Sequence, residues 1–130
     1  MKFRHVIISF LLALTTGFAS SAPCVKIRKG ESFACMKFTA SDQRQAAKYG
    51  LKLGAPFKTT RRILLKQGWV VDRQWLKDNS LQPLDGKEMI CGNGLDAACS
   101  TVFQRNDVVL ELMLSGVNDG LPLVGLAATK

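Results

Sequence analysis

Few residues in this chain have the types and spacing that chemistry requires, and the one histidine, His5, stands in an amino-terminal segment with the look of a signal to be removed. Without it, Ser-His, Cys-His and His-metal arrangements are all missing from the remainder. Three acids near turns, Asp85, Glu88 and Asp96, are the candidates for a carboxylate pair of the kind that cleaves glycosides. Their spacing does not demand such a pair, and acids beside turns are usually solvated. Asn93 and Asp96 with their glycines suggest a calcium loop, but the D-x-[DN]-x-[DN]-G ladder and its closing glutamate are missing. Gly92-x-Gly94 is not a phosphate loop, because neither a basic residue nor a helix start follows it. The four cysteines lack the C-x2-4-C spacing of a zinc site. No catalytic residue, metal or cofactor is therefore assigned, and the sequence points away from an enzyme.

What remains is binding. Arg61 and Arg62 lie on an expected helix and Trp75 in a polar segment, and these are the candidate binding residues. The plainer reading of the two arginines is helix surface, and of Trp75 a core anchor; the sharper one is a contact with a partner.

The first residues explain the address. Lys2 and Arg4 precede an uncharged apolar run over 6–14, and small residues follow up to Ala22. That is the plan of a cleavable export signal over 1–22, and the run is too short for a membrane span of about 18 or more apolar residues. Pro23 disfavours a cut directly after Ala22, and a cut after Ala19 competes with it. Cys24 near the junction raises lipidation, but Ser21-Ala22-Pro23-Cys24 is a poor lipobox. A periplasmic or secreted protein that is not integral to a membrane is expected.

The part from Pro23 to Lys130 suffices for one small domain. It holds Cys24, Cys35, Cys91 and Cys99, an even set that implies two disulfides in an exported chain. Of three possible pairings, the local ones, Cys24–Cys35 and Cys91–Cys99, close most easily. The net charge of +8 is unevenly spread: 23–77 holds thirteen Lys/Arg against three acids, and 78–130 three against seven. A basic amino-terminal half suggests an anionic partner or simply a solvated surface. The exported address argues against nucleic acid.

The elements that would position these residues follow from local pattern. A short strand or extended arm is expected from Cys24 to Arg28, with a turn at Lys29-Gly30. A helix capped by Ser41 runs to Tyr49 and stops at Gly50. A second helix follows Pro56, capped by Lys58 or Thr59, with Ile63, Leu64 and Gln67 on one side; Gly68 ends it in the left-handed conformation and drops Trp69 into the core. Residues 72–87 are expected to be irregular, with Trp75 and Leu76 as anchors. Strands over 88–91, 100–105, 108–114 and 121–127 form an antiparallel meander, and Val108, Leu110, Leu112 and Leu114 face the core. The fold class expected is α+β: one or two short helices on a three- to four-stranded antiparallel sheet, stapled by disulfides.

Leu53-Gly54-Ala55-Pro56, Arg62-x-x-Leu65-x-x-x-Trp69 and then Cys91, Gly94, Cys99 and Phe103 together resemble small exported proteobacterial proteins to which no activity is assigned. The resemblance covers 51–114 and implies a periplasmic α+β domain. The helix-into-strand unit also resembles the short, degenerate repeat of cell-wall-binding PASTA domains, and no function is carried over from it. The expected function is a non-enzymatic binding protein, an inhibitor or immunity-type partner of another envelope or secreted protein. The alternative is adhesion to anionic envelope polymer or lipid through the basic half.

Overall fold

A computed structural model describes residues 24–29, 32–94, 97–116 and 120–130. The expected export signal over 1–22 lies outside the described residues, as does Asp96 of the candidate calcium and carboxylate groups. The chain runs β1 (Val25–Lys29), β2 (Ser32–Met36), α1 (Ala40–Ala47), α2 (Phe57–Lys66), β3 (Val70–Val71), α3 (Arg73–Asn79), β4 (Ile90–Cys91), β5 (Ala98–Arg105), β6 (Val108–Ser115) and β7 (Leu123–Thr129). The fold is α+β, three helices with an antiparallel sheet, and both local disulfides, Cys24–Cys35 and Cys91–Cys99, are formed.

The sheet grows from the alternation in β6. Leu110, Leu112 and Leu114 are fully buried while Glu111 and Met113 between them are exposed. Pairing carries the pattern to the neighbours: Leu110 faces Phe103 and Ala128, and Leu112 faces Thr101 and Leu126. Ala46 of α1, Phe57 and Leu64 of α2, and Trp69 close over this face in one cluster. Burying each such leucine contributes about 1.5–3 kcal/mol. On the opposite face of β5, Val102 is buried as well. There α3 packs against β5 and carries the fully buried Leu76.

β5 is the central organiser. β6 pairs along the whole of one edge, and the other edge is divided. β4 takes the first part, with Cys91 opposite Cys99, and β3 takes the last, with Val71 opposite Phe103. The gap between them is bridged by the Asp72 N–H donating to the Val102 carbonyl at 2.8 Å, and by the Thr101 hydroxyl donating to the Glu88 carbonyl at 2.5 Å. The meander of β5, β6 and β7 is as expected, and β3 and β4 widen the sheet to five strands. A separate hairpin of β1 and β2 precedes it.

Several ends differ from the sequence-based expectation. α1 is capped by Thr39, not Ser41. Thr39 Oγ1 accepts the Asp42 N–H at 3.1 Å, and Asp42 Oδ2 accepts the Thr39 N–H at 3.2 Å. This reciprocal box needs its acid three residues after the cap, a spacing that Thr39 satisfies and Ser41 does not. α2 begins directly after Pro56 with no side-chain cap. The Phe57 N–H instead donates to the Gly120 carbonyl at 2.9 Å, a tertiary cap from the loop before β7. The segment 72–87 contains a helix, α3, whose cap is Asp72 accepting the Trp75 N–H at 2.9 Å. The turn-forming Asp78-Asn79-Ser80 is the end of this helix and not a sign of irregular chain. Gly68 behaves as expected: its φ of +83° ends α2, and Trp69 is 1% exposed.

Candidate functional site

α2 sets Arg61 and Arg62 on diverging directions of one turn, and the two have different fates. Arg61 lays its guanidinium as a fork on the Glu88 carboxylate, with Nη2 donating to Oε1 at 2.9 Å and Nε to Oε2. Arg73, at the start of α3, brings its Nη2 to 3.6 Å from the same Oε1. The Glu88 side chain is only 17% exposed. The hydrogen bond from Arg61 holds its carboxyl below the usual range against the opposing effect of burial, and the charges of Arg61 and Arg73 add to the lowering. A carboxylate so held stays ionised and is a poor proton donor at neutral pH. Glu88 is therefore a latch: its side chain ties α2 to α3, and its carbonyl ties the following segment to β5.

Arg62 is exposed and forms no ion pair with a described acid. Trp75 is half-buried in the first turn of α3, its N–H bound to Asp72 and its carbonyl accepting from Asn79 Nδ2 at 2.8 Å. Glu88 links the elements of Arg61 and Trp75 through Arg73, while Arg62 stands outside this linkage. Asp85 is exposed in its turn at a φ of 46°. Among the described residues no three His, Cys, Asp or Glu gather as a metal site, and no helix is long and apolar enough to cross a membrane.

A hollow among the described residues lies elsewhere, where the end of α1 faces the ends of β5 and β7. Its volume is about 890 Å³, and Arg44, Lys48, Tyr49, Trp69, Arg105 and Lys130 are among its lining. Trp69 meets Tyr49 edge-on with ring centroids 5.7 Å apart, and the Arg105 guanidinium lies 4.6 Å from the Trp69 ring centroid. Arg105 Nη1 also donates to the Gln67 carbonyl at 2.9 Å, which satisfies a carbonyl at the end of α2. The sequence reading did not single out this group. Arg44 and Lys48 are visible as neighbours four apart on a helix, but Arg105 joins them only once β5 is placed beside Trp69.

No family model matches the chain, and no significant match is found among curated proteins or solved structures. Any functional reading therefore stands on the geometry alone.

Proposed function

We propose that this chain is a non-enzymatic binding protein of the periplasm or extracellular space whose partner presents negative charge. The observation that carries the reading is the state of its cations. Among the described residues only Arg61 and Arg73 form ion pairs with an acid, and both use the same Glu88. The other basic side chains described from Lys37 to Lys77 have no such neutralising neighbour. A fold that leaves so much positive charge uncompensated gains attraction for anionic surfaces at the expense of self-repulsion. The two disulfides suit an oxidising compartment. Binding is favoured over catalysis because every described cysteine is oxidised and Glu88 is committed to arginine.

Of the two kinds of partner expected from the sequence, anionic envelope polymer or lipid fits this surface better than an inhibitor's protein target. Among the described residues the exposed large apolar side chains are few, Phe33, Leu65, Val70, Leu81 and Met113, whereas exposed cations without an acidic partner are many. A tight protein interface needs such anchors gathered at its centre. The test is capture from an envelope extract on the immobilised, oxidised protein at low and high salt. Retention of bulk envelope material that disappears in salt supports the proposal, because the Debye length that limits exposed charges shrinks from about 30 Å at 0.01 M salt to about 3 Å at 1 M. Retention of one protein that survives high salt overturns it in favour of an inhibitor-type role, and no retention overturns both.

A further inference from the structure

Two parts of the fold deliver positive charge to one hollow. Arg44 lies in α1 with Lys48 as its C-cap, and Arg105 ends β5. No Asp or Glu is among the lining residues, and none of these three cations forms an ion pair with a described acid. The dipole of α1 accounts for Arg44 and Lys48 at its carboxyl end. It does not account for Arg105 arriving from the sheet, where like charges facing one cleft repel.

Arg105 is fixed before any ligand arrives. Its guanidinium stacks over Trp69 and spends a single N–H on the Gln67 carbonyl, which leaves its other donors for an acceptor. Trp69 is too buried to stack on a ligand and serves as a rigid support for the arginine. The volume falls within the range of about 300–1,000 Å³ that small-ligand sites occupy. Val108 and Ala128 add apolar lining beside the charges.

We infer that this cleft binds a ligand bearing closely spaced phosphate groups, a step that rests on the anionic-partner reading above and gives it a location. Several cations around one small volume call for several negative charges in close order. A phosphate monoester brings about −1.5 to −2 charges and three acceptor oxygens, where a carboxylate brings a single charge. Arginine forks match phosphate oxygens in pairs, and lysines complete the field as point charges. The same chemistry is found in a phosphorylated lipid headgroup and in a soluble oligophosphate.

The test uses tripolyphosphate as probe, followed by calorimetry and by the emission of Trp69 in a Trp75→Phe background, where it is the remaining tryptophan. Saturable binding with a change in Trp69 emission is expected. The affinity should fall about tenfold in Arg105→Gln and in the exposed pair Arg44→Gln/Lys48→Gln. It should fall about twofold or less in Lys87→Glu, which lowers the charge by the same two units at an exposed position outside the hollow. Equal losses in Arg44→Gln/Lys48→Gln and Lys87→Glu, or no binding of tripolyphosphate, overturn the inference. A parallel arm uses phosphatidylcholine vesicles with and without phosphatidic acid. Cleft-dependent binding to the phosphatidic acid vesicles assigns the site to a lipid headgroup, and binding to tripolyphosphate alone assigns it to a soluble ligand. If salt-sensitive envelope capture survives Arg44→Gln/Lys48→Gln undiminished, the cleft is wrong and the anionic-partner reading stands.

Discussion

Arg61 and Glu88 are 27 residues apart, and their contact decides what each can do. From sequence, Arg61 looks like a free cation on a helix and Glu88 like a solvated acid beside a turn. Together they form a forked ion pair in which the glutamate is mostly buried. Because the Glu88 pKa is lowered on folding, its contribution to stability is full above the unfolded value of about 4.3 and is lost as pH falls through the folded value. Glu88→Gln should therefore cost about 1 kcal/mol at pH 7, the low end for a charge-assisted pair because the Arg61 side chain is 40% exposed. In urea melts, the gap between variant and wild type should close as pH is lowered from 5 towards 3, a window of about two units around that unfolded value. A gap that stays constant over this range would show that Glu88 acts through packing and not through its charge. The candidate binding residues were legible as types and not as a site, since no local pattern shows which arginine an acid so distant will claim.

Elements were legible where their determinants are local. The alternation in β6, the glycine stop of α2 and the disulfide around the β4–β5 turn all lie within a few residues of the signals that announce them. The cap of α2 is the opposite case, since its partner is the Gly120 carbonyl far along the chain. The division of one β5 edge between β3 and β4 is likewise invisible until the sheet forms. Two substitutions test the local signals. Gly68→Ala should cost about 1–2 kcal/mol through its left-handed φ alone, because the added Cβ would meet only Arg105 Cδ at 4.0 Å. Gly68→Asn, which tolerates that conformation better, should recover part of the loss in the same thermal melt. Thr39→Ala removes an acceptor from the capping box and should cost about 1 kcal/mol. Hydrogen exchange should place that loss in α1, with Leu110 to Leu114 keeping their protection; loss of protection in β6 would mean that the helix and sheet open together.

At the scale of the whole molecule, the described residues form two antiparallel sheets, each closed by a disulfide, and these disulfides should not be equivalent. Cys91–Cys99 joins β4 to the central strand of the large sheet, and Cys99 is fully buried behind it. A Cβ on Gly116 would lie 2.8 Å from the Ala97 carbonyl oxygen and 3.0 Å from Cys99 Sγ, so the end of β6 is packed directly on this bridge. Cys24–Cys35 closes the hairpin of β1 and β2, whose packing is mainly between its own strands. The entropy of closing such short loops is similar and worth about 2–3 kcal/mol in either case. Its effect on the melting of the core depends on which unit the bridge belongs to. Cys91→Ser/Cys99→Ser should lower the Tm followed by the near-ultraviolet signal of Trp69 by on the order of 10 °C. Cys24→Ser/Cys35→Ser should leave that Tm nearly unchanged and release hairpin amides to exchange. Equal drops in Tm would show that the hairpin and the large sheet melt as one cooperative unit, coupled through Met36 and Phe38, the residues that connect the hairpin to the buried cluster.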